Sequence, residues 1–305
     1  MISYTKSLLP YCAAAAVLYT FFTLQPAHGA HISSITQPDI MQTLHSWAGT
    51  PTLIKEYTGN RFDALVHKRT IFFENGQVVQ EQAFDDSGAI KTQTIYQYAE
   101  NGSITEIIGL DAAGMQIWKY TYSYDEQGRL IEETSLGVDN TVEWIKHTQY
   151  RDSERMIERQ SVQHNGEVTA SESYAYDTYG NITESITLYG NGKLLKRTVS
   201  DYADDGQHLA DTHYDSSGIY ETETYVYDSG LLTCITKTDA AGQIKGTTEF
   251  AYDGTNRVAV RTERNPDNSI RIRRQFIYDL QGNCILQRDE LQQTYTLFDI
   301  TYAIG

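Results

Sequence analysis

The feature that most constrains this chain is an aromatic residue followed by an acidic turn, recurring at nearly constant spacing. The markers are Phe73, Tyr98, Tyr124, Tyr150, Tyr176, Tyr202, Tyr227, Tyr252, Tyr278 and Tyr302. Successive gaps are 25, 26, 26, 26, 26, 25, 25, 26 and 24 residues. Intervals this regular identify internal repetition, so each copy must be one supersecondary unit that buries its apolar face against its neighbours.

The clearest copies read YSYDEQGRL from Tyr122, YAYDTYGNI from Tyr174, YVYDSGLL from Tyr225, FAYDGTNRV from Phe250 and FIYDLQGNC from Phe276. An aromatic two residues before the marker puts both rings on one face of a strand. Asp at the head of a tight turn accepts a backbone N–H, and the glycine three residues on accepts a positive φ. Midway between markers lies a second turn, as in DDSG at 85–88, DAAG at 111–114, DSSG at 215–218 and DAAG at 239–242. One period is therefore two strands and two reversals, and about ten periods predict about twenty strands. The expected fold is all-β: an elongated antiparallel β-meander repeat, curved or spiralling because an open twisted sheet rarely exceeds about ten strands.

The expected layout is a signal peptide over 1–30, an N-terminal cap over 31–60 and the repeat domain over 61–305. Lys6, the apolar stretch Ala13 to Leu24 and the small residues near Ala-His-Gly-Ala at 27–30 have the pattern of an export signal, with the mature chain beginning at His31. The stretch is short for a membrane span, and Cys12 lacks the apolar run a lipid anchor needs before it. PDIMQTLHSWAG at 38–49 reads as a short capping helix or irregular cap. These features predict export across the inner membrane to the periplasm, the cell surface or the medium.

The formal charge of −16 becomes −17 when residues 1–30, which hold one lysine and no acid, are removed. An acidic surface repels nucleic acid and anionic lipid. Cys234 and Cys284 survive processing, but a two-repeat separation places them roughly 20 Å apart, far beyond disulfide reach. Two free thiols are expected.

Aligned copies turn single residues into columns. Six residues after the marker stand Ile104, Leu130, Met156, Ile182, His208, Val258 and Cys284, with Val78 and Leu232 equivalent after one-residue deletions. This column reads as core, with His208 its exception. Two positions on, Glu106, Glu132, Glu158 and Glu184 form an acidic stripe that turns apolar at Cys234, Val260 and Leu286. Copies about 10 Å apart cannot share calcium through neighbouring glutamates, so the stripe is a candidate surface for a basic partner or a solvated face that deters edge aggregation. Trp118 and Trp144 are 26 residues apart and stack as neighbours, a candidate platform for sugar rings or peptide, or simply a cross-strand aromatic pair.

HExxH, GxSxG, CxxC and a phosphate-binding glycine loop are all absent from the sequence. Carboxylates repeated at every turn are poor candidates for a unique acid or base. The Asp-x-x-Gly turns lack the alternating aspartates of a calcium loop. The chain is therefore expected to be non-enzymatic, with no cofactor and no metal. Departures from the repeat at Arg151–Arg155, where Glu154 replaces the turn glycine, and at His208 are where an irregular site would lie.

At the YxYDxxGxL blocks, over roughly residues 65–302, the sequence resembles the YD-repeat or Rhs-repeat family, and FFENGQVV at 72–79 is similar to MORN-like hairpin repeats. The resemblance implies a long spiralling β-sheet. In large members of that family the sheet forms a shell around a C-terminal toxin, a role this chain is not expected to share, given its longer period, few repeats and lack of a toxin domain.

The expected function is an exported binding or interaction scaffold that uses one face or edge of the sheet to contact protein, peptide or carbohydrate. A structural spacer or envelope assembly component is the alternative. An outer-membrane barrel is less expected, because segments such as LIEETSL and VAVRTERN carry charge where a lipid-facing band should be apolar.

Overall fold

The computed structural model describes residues 47–150, 156–163 and 165–303. The signal segment 1–30, Cys12, most of the 38–49 cap and the Arg151–Arg155 departure lie outside these residues. The described residues are all-β: twenty strands, β1 to β20, with one 3-10 turn at Phe62–Ala64.

Each repeat builds its hairpins from the chemistry expected. In the turn after Tyr124, the Asp125 carboxylate accepts the N–H groups of Gln127 and Arg129, at 3.0 and 2.9 Å. The backbone closes with Gly128 N–H to Asp125 O and Asp125 N–H to Arg129 O, both 2.9 Å. Gly128 sits at φ 77°, where a side chain would strain the backbone. The same closure recurs at Asp85, Asp111, Asp177, Asp239, Asp253 and Asp279. In almost every hairpin the pairing slips by one residue near the turn, for example between Ser123 and Tyr124 and between Ser135 and Leu136. Such bulges bend the strands and increase their twist.

The marker tyrosine also links successive repeats. Tyr98 OH donates to Val78 O (2.7 Å), Tyr124 OH to Ile104 O (2.8 Å), Tyr150 OH to Leu130 O (2.8 Å), Tyr202 OH to Ile182 O (3.0 Å), Tyr252 OH to Leu232 O (2.6 Å) and Tyr278 OH to Val258 O (2.7 Å). Each hydroxyl thus reaches the core-column residue twenty positions earlier. The ring is half-buried and the donor satisfied in one arrangement.

The sheet does not spiral open. β1 (Pro51–Gly59) pairs antiparallel with β2 (Val66–Glu74), with Ile54 opposite Ile71, and on its other side with β20 (Thr294–Tyr302), with Ile54 opposite Ile300. All other neighbours are consecutive in sequence, so the twenty strands form a closed antiparallel barrel. The expectation of an elongated, open or spiralling meander is corrected on this point. Strands follow from local spacing, but closure depends on the bend accumulated over many bulged hairpins and on a strand at 51–59 that carries no repeat marker. Closure also removes both unpaired edges.

Every buried apolar side chain among the described residues, from Ile54 to Phe298, lies on the face that carries the marker tyrosines. Side chains directed toward the axis of a closed barrel converge and those on the outside diverge, so this crowded face is the inward one. Its apolar residues form two clusters. One is centred on Tyr225, Leu232, Ile235, Phe250, Val258, Phe276 and Cys284. The other runs from Ile54 through Tyr96, Ile107, Tyr120 and Leu130 to Phe298. All substantial strand contacts are between hydrogen-bonded neighbours. Barrels of 16–18 strands already leave an aqueous channel, so twenty strands enclose a lumen.

Candidate functional site

In the column that six residues after the marker is otherwise mainly aliphatic, β13 (His208–Asp215) opens with His208, only 1% exposed. Its ring is sandwiched between Tyr202, at 4.9 Å and 23°, and Tyr225, at 4.4 Å and 25°. Nε2 lies 2.9 Å from Asp211 Oδ1, and Nδ1 is buried without a hydrogen-bond partner. Asp211 also accepts the hydroxyls of Ser200 and Tyr225. The strand period of two carries this polar line along the inward face of β13 to His213 and across to β14 (Gly218–Asp228) at Glu221 and Glu223.

His213 and Glu223 are buried. His213 Nδ1 is 3.0 Å from Thr198 Oγ1 on β12 (Leu194–Tyr202), and Nε2 is 3.8 Å from Glu223 Oε1. Lys237 on β15 (Leu231–Asp239) ion-pairs with Glu223 and lies 3.6 Å from Glu221, which Lys245 on β16 (Ile244–Tyr252) meets at 2.5 Å. Five successive strands are therefore joined by one polar network. Ser200 Oγ donates to the carboxylate oxygen that His208 also contacts and not to an imidazole, so the geometry offers no serine–histidine nucleophile pair. Its evident capacity is to hold positive charge. His213, Glu221 and Glu223 place one ligand atom each within 4.8 Å of one another.

The tryptophans and glutamates singled out in the sequence fall elsewhere. Trp118 and Trp144 are on the inward face, with the Tyr120 ring between them at 5.2 and 5.7 Å. Lys146 Nζ sits 4.7 Å above the Trp144 ring. Both tryptophans pack against the second apolar cluster. The glutamate stripe lies on the outward face and is matched by bases on the adjoining strand: Glu106 with Lys119 (2.6 Å), Glu132 with His147 (3.5 Å) and Glu184 with Arg197 (2.6 Å). The Glu158 side chain is outside the described residues. Cys234 and Cys284 are unpaired. The sequence signal for the histidine cluster was present, since His208 breaks an aliphatic column. What the sequence did not show was that His213, Glu221, Glu223 and Lys237 share its face across three strands.

No family model matches the chain, and no curated protein matches it. Among solved structures it is similar to a Tc holotoxin pore from Photorhabdus luminescens, at 16% identity over 74% of this chain and 15% of that one, with a TM-score of 0.25. The chain thus spans about 15% of that toxin chain's length. It is also similar to a porin-like protein from Bacteroides uniformis, at 12% identity over 84% of this chain and 99% of that one, with a TM-score of 0.37.

Proposed function

We propose that this protein is a lumen-forming β-barrel of the cell envelope, whose working surface is the inward one. The observation that supports this is the pairing of β1 with both β2 and β20, which closes the sheet. The expected scaffold that would bind through a face or edge of an open sheet, and the expected spacer, are corrected by the same pairing: no free edge remains among the described strands, and one face is enclosed.

Two features support a porin-type, membrane-spanning barrel. Most strands have eight or nine residues, close to the 9–11 a tilted transmembrane strand needs. The charges that argued against a barrel in LIEETSL and VAVRTERN also divide by face. Glu133, Arg261 and Glu263 point inward, leaving Glu132 and Arg264 outward. The bulges at Ile131 and Ala259 reverse the alternation that a linear reading assumes. No helix among the described residues is long and apolar enough to cross a membrane.

The outward face favours a second reading, a chamber surrounded by water. Glu249 and Asp299 stand at mid-strand on that face, where a lipid-facing position disfavours charge. Neither reading assigns catalysis to the barrel.

Detergent phase partition and planar-bilayer recording of the purified full chain separate the two. Partition into detergent with stepwise conductance establishes the porin-type barrel. Retention in the aqueous phase with no conductance rules it out and leaves the water-surrounded chamber.

A further inference from the structure

The geometry points to a divalent-metal site of the zinc class on the inward face, with His213, Glu221 and Glu223 as its protein ligands and Lys237 as the resident cation that a metal displaces. This site depends on the β12–β16 cluster alone and stands whether the barrel meets lipid or water.

The chemistry of the donors comes first. One imidazole and two carboxylates are a ligand set that zinc accepts, with the remaining position open to water. An imidazole in the set selects against magnesium and calcium, which prefer oxygen donors alone. His213 lies directly opposite Glu221 across the β13–β14 ladder, and Glu223 is the next residue on the same face. The ligand atoms fall within 4.8 Å of one another, with His213 Nε2 to Glu223 Oε1 at 3.8 Å. Tetrahedral bonds of about 2.0–2.2 Å require ligand separations of roughly 3.4 Å. The contraction from the present spacing is within the reach of glutamate side-chain rotation.

A second observation concerns orientation. Metal-binding histidines almost always fix one ring nitrogen through a hydrogen bond so that the other presents its lone pair. Thr198 Oγ1 lies 3.0 Å from His213 Nδ1. With Nδ1 donating to that oxygen, Nε2 carries the lone pair and faces the carboxylates. His213 is 9% exposed and its ring lies 6.0 Å from that of Tyr220 at 25°, so the ring is held in place.

Asp211, Glu221 and Glu223 supply three carboxylates against the two ammonium groups of Lys237 and Lys245, so carboxylates outnumber lysines by one. Lys237 lies against both glutamates while its side chain remains 34% exposed. A long, partly exposed lysine can swing to solvent, leaving the oxygens it now neutralises to a divalent ion.

Isothermal titration of the full chain with ZnCl2 at neutral pH, with MgCl2 as the comparison, tests this. The expected result is one zinc ion per chain with no corresponding magnesium binding. His213→Ala should weaken zinc affinity at least tenfold. Thr198→Val, which leaves all three ligands in place, should weaken it by about 10- to 100-fold, the usual effect of losing an orienting partner. Lys237→Met should tighten it. Circular dichroism and thermal melting verify that each variant folds, and His213→Gln replaces His213→Ala if the latter does not. Absence of zinc binding in both wild type and Lys237→Met overturns the site. So does an affinity that His213 substitution leaves unchanged, or a loss of affinity in folded Lys237→Met.

Discussion

Tyr124 serves two repeats at once: its ring packs on the inward face and its hydroxyl closes on the Ile104 carbonyl of the preceding copy. Tyr124→Phe keeps the ring and leaves that carbonyl without its donor, so it should cost about 0.5–1.5 kcal/mol, read as a lower urea midpoint with unchanged slope. Gly109 is a different kind of single-residue constraint. The Trp118 indole packs against it, and an added Cβ would meet Trp118 Cε2 at 2.1 Å. Gly109→Ala should therefore destabilise by about 1–3 kcal/mol through overpacking, and adding Trp118→Ala should return part of that loss in a double-mutant cycle. The turn aspartates carry a pH dependence. The Ser87 hydroxyl, with the backbone N–H of Ala89, holds the Asp85 carboxyl below its ordinary 3.8. A carboxyl lowered in the folded state stabilises above its unfolded pKa and loses that contribution as pH falls through the folded value. The stability difference between wild type and Asp85→Ala should be constant from pH 7 to about 5 and shrink below about 4. A difference that grows on acidification would contradict the assignment.

Among the elements, β1 has the greatest leverage, because it alone joins strands distant in sequence. Lys55 on β1 lies opposite Asp299 on β20, and directly opposed residues have Cβ atoms about 4.5–5.5 Å apart. Lys55→Cys with Asp299→Cys should form a disulfide under mild oxidation, closing a loop of nearly the whole repeat domain. Failure of this pair to cross-link, in a protein that remains folded, would mean that the barrel is open. Strand alternation explains why the acidic stripe was legible only in part. Glu106, Glu132 and Glu184 were read as a column along successive repeats, yet their partners Lys119, His147 and Arg197 come from the intervening strands. A column along one strand type cannot show the neighbour that pairs with it.

For the whole molecule, closure changes the expected solution shape. The open meander predicted an elongated particle, whereas a twenty-strand barrel is compact and hollow. Small-angle scattering should give a radius of gyration and maximum dimension fitting a single barrel, and an extended profile would contradict β1–β20 pairing. Closure also divides the side chains into an enclosed set and an outward set, which is why Glu133, Arg261 and Glu263 could be mistaken for outward charges in a linear reading.

The sequence by itself determined the strands, their number, the turn chemistry and most of the core column, from which Ile182 departs as an exposed residue, because those follow from local spacing: alternation of two within a strand, Asp and Gly at fixed offsets in a turn, one marker per period. It also exposed His208 as a break in that column. Only the tertiary structure decided that the sheet closes, which face is enclosed, and that His213, Glu221, Glu223 and Lys237 meet. These outcomes depend on bends summed over ten repeats and on one-residue bulges that exchange inside for outside, and neither quantity is carried by any single repeat.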